Sequence, residues 1–215
     1  MTRRVTLTFD NGPTRATTQV LDVLAERGVP ASFFLVGERL ERPGMRALAE
    51  RAAREGHRIG NHSLTHSTPL GVADDPTEAE REIDGMQALL GDLVTGERFF
   101  RPFGGGGKID RDLLGPRALE CLVRGGYTCV LWSSVPRDWE NPRGWPDVCL
   151  AELEARPWSV VVLHDLPTGA MDRLPGFLDA LDARGIEVTH ELPEACVPLR
   201  GGRPTASFAT LPLAR

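Results

Sequence analysis

Two histidines, His62 and His66, stand four residues apart in Asn61-His62-Ser63-Leu64-Thr65-His66. On a helix that spacing is about one turn, which would aim both imidazoles at one divalent ion. The preceding segment, Gly56-His57-Arg58-Ile59-Gly60, reads as a short strand entered from a helix that stops at Gly56. The pair would then lie at a strand's carboxyl end, where α/β folds place their chemistry. Alone, an HxxxH is as readily a capped surface turn, and the rest of the chain has to decide.

Strand and helix signals alternate along the chain. Val5–Phe9 is β-rich and ends in the turn signal Asp10-Asn11-Gly12-Pro13. Apolar residues at helical spacing mark helices over 17–27, 45–55, 76–90, 110–124 (interrupted at Gly115-Pro116), 145–156 and 171–184. Strands are expected at 31–36, 57–60, 98–101, 127–132, 159–163 and 186–189. About seven such units imply parallel strands with right-handed crossovers, hence an α/β, distorted (β/α)7-type barrel in a single domain. The domain is expected to span 1–192. The tail 193–215 lacks periodicity and reads as loop or extended packing.

Polar residues break these apolar runs at one kind of place. Asp10 and Asn11 follow the first strand, His62 and His66 the third, Arg101 the fourth, Asp138 the fifth, and His164-Asp165 the sixth. In a parallel barrel these positions share one rim. Converging strand ends suit metal-assisted hydrolysis, with a divalent ion on His62, His66 and an oxygen ligand. Asp10 is then the natural base and His164 the natural acid. Asp138 would hold the His164 imidazole in one tautomer, and Arg101 would fix Asp10.

Composition excludes several other classes. Twenty-five basic against thirty acidic residues, net charge −5, offer nothing to attract nucleic acid or an anionic membrane. No run of about 18 apolar residues spans a bilayer. Met1-Thr2-Arg3-Arg4 is followed by too short an apolar run for a signal peptide, so a cytoplasmic location is expected. Cys121, Cys129, Cys149 and Cys196 lack CxxC spacing and read as buried apolar residues. Thirteen aromatic residues leave little for a long polymer-binding platform, which favours a small-molecule or oligosaccharide substrate.

Thr8-Phe9-Asp10-Asn11-Gly12-Pro13, His62-Ser63-Leu64-Thr65-His66, Arg101-Pro102-Phe103-Gly104, Asp138-Trp139 and Leu163-His164-Asp165 occur in the order seen in polysaccharide deacetylases. Over about residues 5 to 192 the chain resembles the NodB-like homology domain of carbohydrate esterase family 4. The resemblance implies metal-dependent removal of acyl groups, usually N-acetyl from amino sugars. It maps the base onto Asp10, the metal ligands onto His62 and His66, and the base-orienting arginine onto Arg101. It maps the tuning carboxylate onto Asp138, the catalytic histidine onto His164, and a residue of the acetyl-methyl pocket onto Leu163.

Two departures stand out. Asn11 occupies the place of the family's usual second aspartate, so the ion, expected to be zinc, loses an anionic ligand and should bind more weakly. The arginine motif is one residue tighter than the common pattern and runs into Gly104–Gly107, either a close-approach loop or a flexible turn. A backbone N–H near Phe103 would be a second oxyanion donor. Trp139 and Trp145 suit either stacking on a sugar or closing the core; Trp139 is carried as a substrate-binding candidate.

The expected activity is hydrolysis of a non-peptide carbon–nitrogen bond in an amino sugar or similar small amide; an O-acetyl ester would use the same apparatus. Asn11 keeps open a metal-free or weakly metallated cyclic-amide hydrolase. A catalytically silent carbohydrate binder is the rival outside enzymes.

Overall fold

The computed structural model describes residues 2–73, 75 and 77–212. Strand β1 (Arg4–Gly12) organises the sheet. Its side chains alternate between two buried environments. Val5, Leu7 and Phe9 pack into the main hydrophobic cluster beneath the helices, while Thr6, Thr8 and Asp10 take the opposite face.

The other strands are β2 (Ser32–Leu35), β3 (Arg58–Asn61), β4 (Arg98–Phe100), β5 (Tyr127–Cys129), β6 (Trp158–His164), β7 (Glu187–Val188), β8 (Leu199–Arg200) and β9 (Arg203–Pro204). They run in the order β6-β1-β2-β3-β4-β5-β8-β9, with β7 also paired to the start of β1. All pairings from β6 through β5 are parallel. The gap between β5 and β6 is spanned by a single parallel bridge, Ser134 to Val161, which makes the barrel a distorted one. Helices α1 (Arg15–Arg27), α2 (Gly37–Leu40), α3 (Met45–Arg54), α4 (Glu78–Leu90), α5 (Pro116–Arg124), α6 (Trp145–Glu154) and α7 (Leu174–Ala183) fill the crossovers.

Register carries the functional consequence. β1 and β6 pair from Arg4↔Trp158 up to Asp10↔His164, so the expected base and acid are direct neighbours across two strands. The pairings Leu35↔Asn61 and Asn61↔Phe100 bring the ends of β2, β3 and β4 to the same level.

Several boundaries differ from those the sequence suggests. The β5 strand stops at Cys129 because, after Val130, the chain turns to other partners: Leu131 N–H donates to Cys196 O and Ser133 N–H to Val160 O. The fourth long helix begins only at Pro116, where the fixed proline φ suits a first turn, and 113–115 turn beside Leu70 instead. Helix 171–184 is a 3-10 turn followed by α7. Helix 76–90 starts at Glu78, and Pro76 lies outside the described residues. The tail adds two short antiparallel strands, β8 on β5 and β9 on β8. Trp145 is fully buried with its indole N–H on Ala170 O, so it closes the core. All four cysteines are free and buried.

Gly60 sets the spacing between β2 and β4. A Cβ there would lie 2.5 Å from Phe34 Cδ1 and 3.3 Å from Phe99 Cβ. Gly60→Ala should therefore cost about 1–3 kcal/mol in urea unfolding through overpacking, and should displace the His62 turn two residues on.

Candidate active site

A cavity of about 450 Å³ opens at the carboxyl ends of the strands. Asp10, Asn11, His62, His66 and His164 line it, with Phe103, Trp132, Val135, Trp139, Val162 and Leu166 as its apolar and aromatic wall.

The histidine pair is built by a turn, not by the helix that its spacing suggests. Asn61, the last residue of β3, folds its side chain back: Oδ1 accepts from Ser63 N–H at 2.9 Å, and Nδ2 donates to Ile83 O in α4. This Asx turn and left-handed φ values at Ser63 (73°) and His66 (57°) reverse the chain. Ser63 Oγ accepts from His66 N–H, and buried Glu82 accepts from Thr65 N–H and Oγ1. The rings end 4.8 Å apart between centroids, and Phe103 stacks on His66 at 3.9 Å. Asn61 and Glu82 were missed by motif spacing, although Asn-x-Ser before a reversal is a readable turn signal.

Asn11 sits in a bulge. The β1–β2 register slips between Asp10 and Gly12, and Asn11 takes φ 68°, a conformation asparagine tolerates better than most residues. Arg39 holds the turn by donating to Asn11 O at 2.6 Å. Asp165 supports it from below: a Cβ on Gly12 would lie 2.3 Å from Asp165 Oδ2, so only glycine fits over that carboxylate. Thr17 Oγ1 donates to Asp165, whose pKa burial pushes up to about 6.

Arg101 and Asp138 stand behind the cavity wall, both fully buried. Arg101 Nη1 donates to Asp10 Oδ1 at 2.9 Å, and its Nε donates to Val130 O. Asp138 Oδ1 is 2.9 Å from His164 Nδ1, and Oδ2 accepts from His164 N–H. Burial opposes charging His164, but the Asp138 hydrogen bond and charge, with Asp10 and Asp165, outweigh it and raise its pKa. For Asp10, burial outweighs the opposing pull of Arg101, so its pKa too is raised.

One expected residue lies elsewhere. Leu163 alternates out of the cavity and packs with zero exposure in the helix-side core; Val162, Leu166 and Val135 supply apolar lining instead. His190 is held at the other end of the barrel by Ala31 O, because β7 pairs only with the first residues of β1. His57 is structural there as well, its Nδ1 accepting from Ala31 N–H.

The residues present suit a divalent ion. His62 Nδ1 lies 2.8 Å from Arg101 O, which fixes the proton on Nδ1 and leaves the Nε2 lone pair 3.7 Å from Asp10 Oδ2. Two acceptors facing each other call for a cation between or beside them. Burial holds His62 and His66 down to about 3, so both are neutral as ligands must be. Asn11 Oδ1 is buried without a partner. Among the described residues no three His, Cys, Asp or Glu side chains group as a metal site, and it is the Asn11 amide, not a carboxylate, that lines the cavity with the two imidazoles.

The chain belongs to the polysaccharide deacetylase family, whose family model matches residues 2–115. It is therefore a hydrolase of that family. It is 35% identical over 217 residues to a chitooligosaccharide deacetylase of Bradyrhizobium sp. (strain ANU 289), covering 90% of each chain. Among solved structures it resembles Bc1960, a peptidoglycan N-acetylglucosamine deacetylase in complex with a hydroxamate, at 27% identity and TM-score 0.72 over 87% of this chain and 86% of that one. It also shares its fold with BA3943 of Bacillus anthracis, described as a family 4 pseudoenzyme, at 19% identity and TM-score 0.70, covering 87% of this chain and 63% of that one. No helix among the described residues is long and apolar enough to cross a membrane.

Two outcomes follow from the buried pairs. Removing the Arg101 charge in Arg101→Met strands Asp10 and should cost about 3–5 kcal/mol in denaturant unfolding. The raised His164 pKa means the Asp138 pair stabilises the fold fully below the ordinary histidine value and loses that contribution as pH rises through the folded value. In Asp138→Asn, NMR titration should show the His164 pKa falling below its native value, and that pH dependence of stability should shrink.

Proposed function

We propose that this chain is a deacylase removing N-acetyl groups from an amino sugar or a short oligosaccharide of them. The reading is carried by the acid–base pair. Asp10 and His164 flank one cavity on adjoining strands, each with a raised pKa and its own buried partner, and two neutral imidazoles face the same space. A mere binder has no use for both a positioned base and a positioned acid. Relatives that act on chitooligosaccharide and on peptidoglycan N-acetylglucosamine point to the same substrate class.

Asp10 takes the proton of the attacking water through Oδ2, while Arg101 holds Oδ1 and fixes the carboxylate's plane. His164 presents Nε2 to the cavity because Asp138 occupies Nδ1, and protonates the departing amine. Trp139 meets the His164 ring edge-on at 4.7 Å and restricts its rotation. Phe103, stacked on His66, fixes the turn whose backbone N–H is offered to the developing oxyanion. His62, His66 and Asn11 Oδ1 would hold a divalent ion, with zinc suited to the imidazoles; when bound it would polarise the acyl oxygen and acidify its water.

Asn11 favours one second reading, a weakly metallated or metal-free hydrolase of a cyclic amide on the same scaffold. Elemental analysis beside acetate release from N-acetylated chitooligosaccharides separates the two. Near-stoichiometric metal with chelator-sensitive acetate release is expected; absence of both after incubation with excess zinc would sink the deacylase reading. Asp10→Asn and His164→Ala should each lower kcat/KM by about 10²–10⁴-fold with metal content retained. Asn11→Asp should hold zinc against a chelator longer than the native chain.

A further inference from the structure

One charged pair on the cavity wall has no part in the chemistry above. Arg137 and Glu140 both line the cavity. Arg137 Nε donates to Glu140 Oε2 at 2.8 Å and Nη2 to Oε1 at 2.6 Å, and each side chain is about half exposed. An exposed pair of this kind is worth only about 0–1 kcal/mol to the fold. The turn that carries it is tight: Arg137 sits at φ 56°, and its carbonyl accepts from both Glu140 and Asn141 N–H.

The pair's position suggests what it serves. The Arg137 guanidinium lies 5.6 Å from the Trp139 ring centroid, and Trp139 in turn meets His164 at 4.7 Å. On its other side it faces the glycine loop, about 3.6 Å from where a Gly106 Cβ would be. Arginine has five N–H donors and the two bonds to Glu140 leave three unused, while each Glu140 oxygen keeps a lone pair. A fixed donor beside a fixed acceptor with no net charge discriminates against ions. It matches adjacent hydroxyls, each of which both accepts and donates, next to an indole that can cover the C–H face of a ring.

We infer that Arg137 and Glu140 together form a specificity element that grips the vicinal hydroxyls of the sugar ring adjoining the scissile amide, with Trp139 as the ring's floor. This rests on the deacylase reading and names residues of the substrate site that the motif resemblance does not assign.

Arg137→Met and Glu140→Gln test it with two probes, N,N′-diacetylchitobiose, which carries ring hydroxyls, and p-nitrophenyl acetate, which does not. Each variant should raise KM for the disaccharide about five- to ten-fold relative to its effect on the ester, the scale of one or two lost hydrogen bonds, with kcat following less. Equal losses of kcat on both probes would mean a structural clamp on the 137–141 turn and would overturn the inference, as would unchanged disaccharide KM. Native chain inactive toward both probes, after zinc loading, overturns the deacylase reading itself and this inference with it.

Discussion

The guanidinium of Arg101 is the constraint from which the site is built. It has no solvent exposure, and it ties two segments distant in sequence to its own: Asp10 and Thr8 on β1, and the carbonyls of Val130 and Leu131 beyond β5. Its own carbonyl faces His62 Nδ1 after β3. Phe34 covers one side of the guanidinium at 4.1 Å. A buried cation is tolerable only with its charge paired and its donors satisfied, so this one residue obliges strands 1, 3, 4 and the chain after β5 to arrive together. Asp10 is thereby held rigid, and the tautomer of His62 is set by the same residue that holds Asp10.

Much of this was legible in the sequence because it rests on alternation. Apolar runs separated by helical patterns define the parallel strands, and the polar residues that end those runs had to share a rim. The structure places Asp10, Asn11, His62, His66 and His164 around one cavity, with Arg101 and Asp138 directly behind it. Strand register was not legible, and it is what makes Asp10 and His164 neighbours.

Where motif spacing misled, periodicity had been read too literally. A spacing of four from His62 to His66 suggests a helical turn, but the Asn61 side chain supplies a competing Asx turn and wins. Leu163 is adjacent to His164 in the motif, yet neighbours on a strand face opposite ways, which sends it into the helix-side core. Arg137 and Glu140 carried no periodic signal at all. Their placement depends on a left-handed turn that a non-glycine residue gives no hint of in advance.

The charge balance around the cavity gives asparagine at position 11 a physical meaning. Each buried carboxylate nearby comes with a partner: Arg101 for Asp10, His164 for Asp138, and the Thr17 hydroxyl for Asp165. An aspartate at position 11 would add a further buried anion against two neutral imidazoles, tolerable only with a cation in place or a proton taken up. Asparagine removes that demand. Its Oδ1 lacks a hydrogen bond, a penalty of about 1–3 kcal/mol rather than the larger one of an unpaired charge. Asparagine thus lets the cavity stay folded with no ion present, where an unpaired aspartate at the same place would oppose it.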